Sequence, residues 1–210
     1  MLFRSLKLFG SMDRKTQASF KFAVKLFGGF THERNCTETE AKQFQYSLQP
    51  IVGSGKLACL LAQFPYSFHY TSENLDYLKR LRDMFQDYEI NIEFRNNNWV
   101  KTDVFNTLKA EKLGYVCVDE PGIKGLIKND VTVTSNIAYI RLHGRNAEKW
   151  YGGEGSERYD YLYSTGELLE WVNRIREVEE GPGMTLISFN NHPKGKAIEN
   201  AKALIGYLGQ

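Results

Sequence analysis

The stretch Ile137–Arg145, IAYIRLHGR, decides the fold. Alternation sends Ala138, Ile140 and Leu142 to one face and Tyr139, Arg141 and His143 to the other. A strand with an apolar back and a charged front buries its back against helices, while its front lines a site or pairs with neighbours. INIEFR (90–95) repeats the design, with Ile90, Ile92 and Phe94 opposed to Asn91, Glu93 and Arg95. YVCVD (115–119) ends in Asp119, FKFAVK (20–25) in Lys25 and LACLLAQ (57–63) in Gln63. TLISFNNH (185–192) ends in Asn190, Asn191 and His192.

Helical signals fall between these strands. Thr37 with Glu40 forms a capping box for a helix running to about Leu48, closed by Pro50 and Gly53. Thr71 or Ser72 caps a second, with Leu75, Leu78, Leu81 and Phe85 on one stripe. A third spans about Thr102 to Leu113, with Val104, Phe105 and Leu108 inward and Gly114 as its C′ stop. Ser164 with Glu167 opens a fourth, with Leu168, Leu169, Val172 and Ile175 inward. The last carries Ile198, Ala201, Leu204, Ile205 and Leu208. Strand and helix thus alternate six times, which predicts a parallel sheet. Units of this length fit a TIM-barrel-like (β/α) barrel, whose chemistry sits at the C-terminal strand ends. A doubly wound sheet is the competitor, and no Gly-rich phosphate loop follows any strand to support it.

The 210 residues form one expected domain, 1–210, with a core of ordinary apolar content. A net charge of +2 gives no strong pull toward nucleic acid or membrane, and no apolar run reaches the length of a membrane helix. Three cysteines, two of them inside strands, make no disulfide framework, so a cytoplasmic setting is expected. The opening MLFRSLKLFG is basic and apolar, but its runs are too short for a secretory leader.

EFRNNNW (93–99), YIRLHGR (139–145), YDYLYSTGELLEW (159–171) and FNNHPKGKAIENA (189–201) resemble the YecE-like family, the domain of unknown function seventy-two. FKFAVK followed by Thr31-His32, LAQFP (61–65) and VDEP (118–121) match in the same order. The resemblance implies a TIM barrel and carries no settled reaction. Family members begin with two further βα units, and Phe3-Arg4-Ser5 resembles the tail of the second. It therefore implies an N-terminally incomplete barrel of about six βα units. Strands 20–25 and 185–190 would be open edges, prone to self-association.

The residues expected to converge are Lys25, His32, Gln63, Glu93, Arg95, Asp119, Arg141, His143, Asn190 and His192. A lattice of ion pairs plugging the barrel mouth would use the same charges. For chemistry, Glu93, Asp119 and His143 are the candidate catalytic groups, with His143 beside a carboxylate titrating near or above neutrality. Arg95, Arg141, Arg145 and Lys25 suit phosphate or carboxylate, and Lys196 enters the final helix where backbone N–H groups favour an anion. His32, Gln63, Asn190 and Asn191 complete the substrate-binding set.

Glu93, Asp119, His143 and His192 are also acceptable ligands for zinc, manganese or iron. Arg95 and Arg141 would oppose a cation, so the cofactor is left open with the metal-free reading preferred. The aromatic loop 146–163 reads as a lid, a stacking platform or a hydrophobic cover. The expected function is an enzyme-like barrel acting on an anionic, phosphate-containing substrate, a phosphoester or nucleic-acid hydrolase. A non-catalytic binder of a phosphorylated ligand or nucleic-acid end is the alternative. A small anionic ligand or nucleic-acid fragment is the expected partner.

Overall fold

The computed structural model describes residues 5–128, 131–178 and 181–209. Phe3 and Arg4, read above as the tail of an earlier unit, lie outside the described residues. Six strands alternate with helices, and the chain forms two compact units, Met1–Ile92 and Glu93–Gln210.

The first unit opens with helix α1 (Leu6–Arg14), which the sequence pattern did not suggest. Ser5 caps it, Phe9 is buried, and Lys56 fastens its end through Asp13 at 2.9 Å. Strand β1 (Phe22–Lys25) pairs in parallel with β2 (Leu57–Gln63). Between them lie the short α2 (Gly28–Thr31) and α3 (Glu38–Gly53). The Thr37–Glu40 capping box forms as expected, but α3 runs on through Pro50 to Gly53. Pro50 removes one N–H bond only three residues before the last helical residue, Gly53, where few further bonds depend on it.

Helix α4 (Ser72–Met84), capped by Thr71, buries Tyr77, Leu78 and Leu81. The rings of Phe30, Phe44 and Phe85 meet edge-to-face at 5.2–6.0 Å and form the centre of this unit's core. Strand β3 (Ile90–Glu93) follows, and the division between the units falls inside it.

In the second unit α5 (Thr102–Ala110) leads into β4 (Leu113–Asp119). The helix ends at Ala110, three residues before the expected Leu113. Lys112 takes the left-handed turn at φ 54°, and Gly114 lies inside the strand. Strand β5 (Ile137–Leu142) pairs in parallel with β4 on one side and β6 (Met184–Phe189) on the other. All six β5 residues are buried, whereas all six of β6 are half-exposed.

Helix α6 (Thr165–Val178) buries Leu168, Trp171, Val172 and Ile175. Leu169, expected inside, is exposed, because Trp171 fills the stripe instead. Helix α7 (Lys196–Leu208) buries Leu204 and Asn200, while Ile198 and Ile205 face outward. Among the described residues no helix is long and apolar enough to cross a membrane.

Candidate functional site

Register fixes the site in the second unit. Val118, Arg141 and Ser188 are aligned across β4, β5 and β6. Two residues on, the same face carries Glu120, His143 and Asn190 at the strand ends. Asp119, Leu142 and Phe189 are aligned on the opposite face.

Glu93, at the end of β3, is the hub of the first face, and its side chain is fully buried. Arg95 Nη2 lies 2.7 Å from its Oε1, and Arg141 Nη1 donates to its Oε2. Arg141 also donates through Nη2 to Asn190 Oδ1 at 2.9 Å. Arg95 reaches a second carboxylate, with Nη1 3.3 Å from Glu120 Oε2. The other Glu120 oxygen accepts the Ile127 backbone N–H at 2.9 Å. His143 is completely buried, its Nε2 3.2 Å from Glu93 Oε1 but out of line for a hydrogen bond. Both its ring nitrogens, and Arg141 Nε beside it, lack a hydrogen-bond partner. The Tyr159 ring lies 6.2 Å from His143 and 5.8 Å from His192.

Burial raises the Glu93 carboxyl, but Arg95 and then Arg141 outweigh it and hold the group well below its usual range. Glu120 is pushed up to about 7, chiefly by burial, with Glu93 adding to the rise and Arg95 opposing it. Burial, and then Arg95, lower His143 to about 4, with Glu93 pulling the other way. The expected titration of His143 near or above neutrality is therefore corrected: loss of water and two guanidinium groups outweigh one carboxylate.

Asp119 does not join His143. Its side chain faces α6, where Trp171 Nε1 donates to Oδ2 at 2.9 Å and Arg145 Nε to Oδ1 at 3.0 Å. Arg145 continues to Glu167 at 3.0 Å, and Glu167 closes the Ser164 capping box and accepts from Tyr161. The two predicted residues Asp119 and Arg145 thus belong to a strand–helix tie. Gly144 makes that turn with φ 93°, and a Cβ there would lie 2.7 Å from Tyr161 Cβ.

Asn191 is buried and donates to Tyr161 O and Asn200 Oδ1, a bracket between the loop and α7. Lys196 Nζ holds Asp160 at 2.6 Å, and Lys194 holds the same carboxylate at 3.2 Å. In the first unit Lys25 Nζ donates to Gln63 Oε1 at 3.2 Å. His32 Nδ1 lies 2.9 Å from Thr31 Oγ1, and burial and then Lys25 lower its pKa. The structure brings Glu93, Arg95, Arg141, His143 and Asn190 together. Sequence reasoning missed Glu120, although the VDEP motif places it one residue beyond the strand end. Tyr159 was noted only as part of the aromatic loop. Among the described residues no group of three or more His, Cys, Asp or Glu side chains could hold a metal ion.

An α/β barrel-type domain with polar strand ends is what fold and site define. The family model "Protein of unknown function DUF72" matches residues 4–210, and the chain belongs to that family. It is 31% identical over 212 residues to UPF0759 protein YunF of Bacillus subtilis (strain 168), covering 93% of this chain and 75% of that protein. The crystal structure of a DUF72 family protein (TM1631) from Thermotoga maritima MSB8 superposes with a TM-score of 0.92 at 35% identity, over 100% of this chain and 81% of that one. One of a DUF72 family protein (EF0366) from Enterococcus faecalis V583 gives 0.92 at 27% identity, over 100% and 82%. The six strand–helix units are accordingly those of a TIM-barrel-like fold.

Proposed function

We propose that the polar face of β4–β6, with Glu93 and Arg95, is an enzyme-like site for an anionic, phosphate-containing substrate, with phosphoester hydrolysis as its reaction and a nucleic-acid fragment among its substrates. The observation that carries this is Glu93 shared between Arg95 and Arg141 beside a buried His143 with two unpartnered nitrogens. Guanidinium forks suit phosphate oxygens, and Glu93 presets their planes. A neutral imidazole can accept a proton from water or orient it. Asp119, turned to α6, takes no part in this scheme.

One observation favours the non-catalytic alternative, a binder of a phosphorylated ligand or nucleic-acid end: a histidine lowered to about 4 is a weak base at neutral pH. The test is thermal stabilisation by inorganic phosphate alongside hydrolysis of an activated phosphodiester, in wild type and His143→Gln. The expected result is phosphate stabilisation in both proteins with turnover lost at least 100-fold in the variant. Stabilisation without turnover in wild type selects the binder. No stabilisation in either protein overturns both readings.

A further inference from the structure

We infer that Glu120 is the proton-accepting partner of Arg95, so that an anion entering this site is bound together with one proton taken up from solvent. This rests on the anion-binding reading above and goes beyond it by coupling the site to proton uptake.

The argument is a charge count in a buried place. Two guanidinium groups, Arg95 and Arg141, face two carboxylates, Glu93 and Glu120, whose side chains are both fully buried. With His143 neutral and Glu120 ionised the cluster sums to zero. A dianion added to it leaves two uncompensated negative charges out of water, which is strongly unfavourable. The arginines are already charged, so the cluster can become more positive only if a carboxylate or His143 gains a proton. His143 is opposed by burial and by Arg95 and Arg141.

Glu93 cannot readily be the proton acceptor, because both guanidinium groups close on it with His143 at 3.2 Å. Glu120 is held less tightly. One oxygen has the neutral Ile127 N–H, and the other has only the longer 3.3 Å contact from Arg95. Protonation of Oε2 leaves the Ile127 bond intact, frees Arg95 Nη1 and supplies an O–H donor beside it. Both can then turn to the anion, while Arg95 Nη2 stays on Glu93. Among the described residues the charged and titratable groups around Glu120 are Arg95 and Glu93, with Arg141 and His143 of β5 behind them and Tyr159 of the loop facing Arg95. The elevated position of Glu120, about 7, agrees with a proton shared near neutrality.

The test uses sulfate, a dianion that does not titrate in this range, and the full chain. Calorimetric titration at pH 6, 7 and 8 in two buffers of different ionisation enthalpy counts protons taken up per sulfate bound. The expected uptake is small at pH 6 and approaches one at pH 8, with affinity falling nearly tenfold per pH unit toward the top of that range. In Glu120→Gln uptake is expected to vanish, affinity to become flat from pH 6 to 8, and binding at pH 8 to exceed wild type about tenfold. Should the variant fail to fold, the two-buffer measurement on wild type still decides. Sulfate bound without proton uptake overturns the inference and leaves the anion site standing, as does uptake that persists in Glu120→Gln. No sulfate or phosphate bound at any pH overturns both.

Discussion

His143 and Glu120 respond to pH in opposite senses, and their signs can be worked out separately. His143 drops from an ordinary 6.5 to about 4 in the folded chain. Below pH 6.5 the unfolded chain takes a proton that the folded one refuses, so this group lowers stability as pH falls from 6.5 to 4. Glu120 rises from 4.5 to about 7. Between those values the folded chain holds a proton that the unfolded one releases, so this group lowers stability as pH climbs. Each contribution is about 3 kcal/mol when fully developed. They nearly cancel between pH 4.5 and 6.5, and Glu93, held far below its usual range in the folded chain, adds a loss of stability only toward the acid end of that window. Wild type is therefore expected to show little slope from these groups in that window. His143→Gln should lose stability with rising pH, and Glu120→Gln should gain it. Urea unfolding at three pH values checks this, and three parallel profiles would contradict the buried placement of both groups.

At the scale of elements, the two faces of β4 and β5 do different work. Asp119 ties the strands to α6 through Trp171 and Arg145, away from the arginine cluster. Trp171→Phe keeps an aromatic ring, though a smaller one, and removes the indole donor from a fully buried carboxylate, a loss of about 1–3 kcal/mol for the hydrogen bond alone. Hydrogen exchange should speed up in α6, while sulfate affinity stays within twofold of wild type. A large loss of affinity without faster exchange would place Asp119 in the site after all. Alternation within IAYIRLHGR and INIEFR made the shared face of Glu93, Arg95, Arg141 and His143 legible from sequence. The register between strands was not legible, because it depends on hydrogen bonds between distant segments. A shift of one residue decides whether Asp119 or Glu120 meets the arginines. Capping boxes at Thr37 and Ser164 were readable because they are local. The inward position of Trp171 was local too, since Leu168, Trp171, Val172 and Ile175 fall at i, i+3, i+4 and i+7, a spacing that the reading of Leu169 as inward overlooked.

At the scale of the whole molecule, the outer surface of the second unit carries the remaining consequence. Strand β6 pairs with β5 alone among the described strands, and none of its side chains is fully buried. Next to it in the chain, α7 leaves Ile198 64% and Ile205 49% exposed, and seven residues apart they share one helix face. An edge strand with free backbone groups beside an apolar helix face favours pairing between copies. The 210-residue chain is therefore expected to associate reversibly, its sedimentation coefficient rising with concentration. Ile198→Lys with Ile205→Lys should shift the population toward monomer without lowering the melting temperature by more than a few degrees, because neither side chain packs in the core. Changing the charge of an exposed residue elsewhere, such as Glu73→Lys on α4, should leave association unchanged. A wild-type chain that sediments as one monomeric species at every concentration would show that this edge does not recruit a second copy.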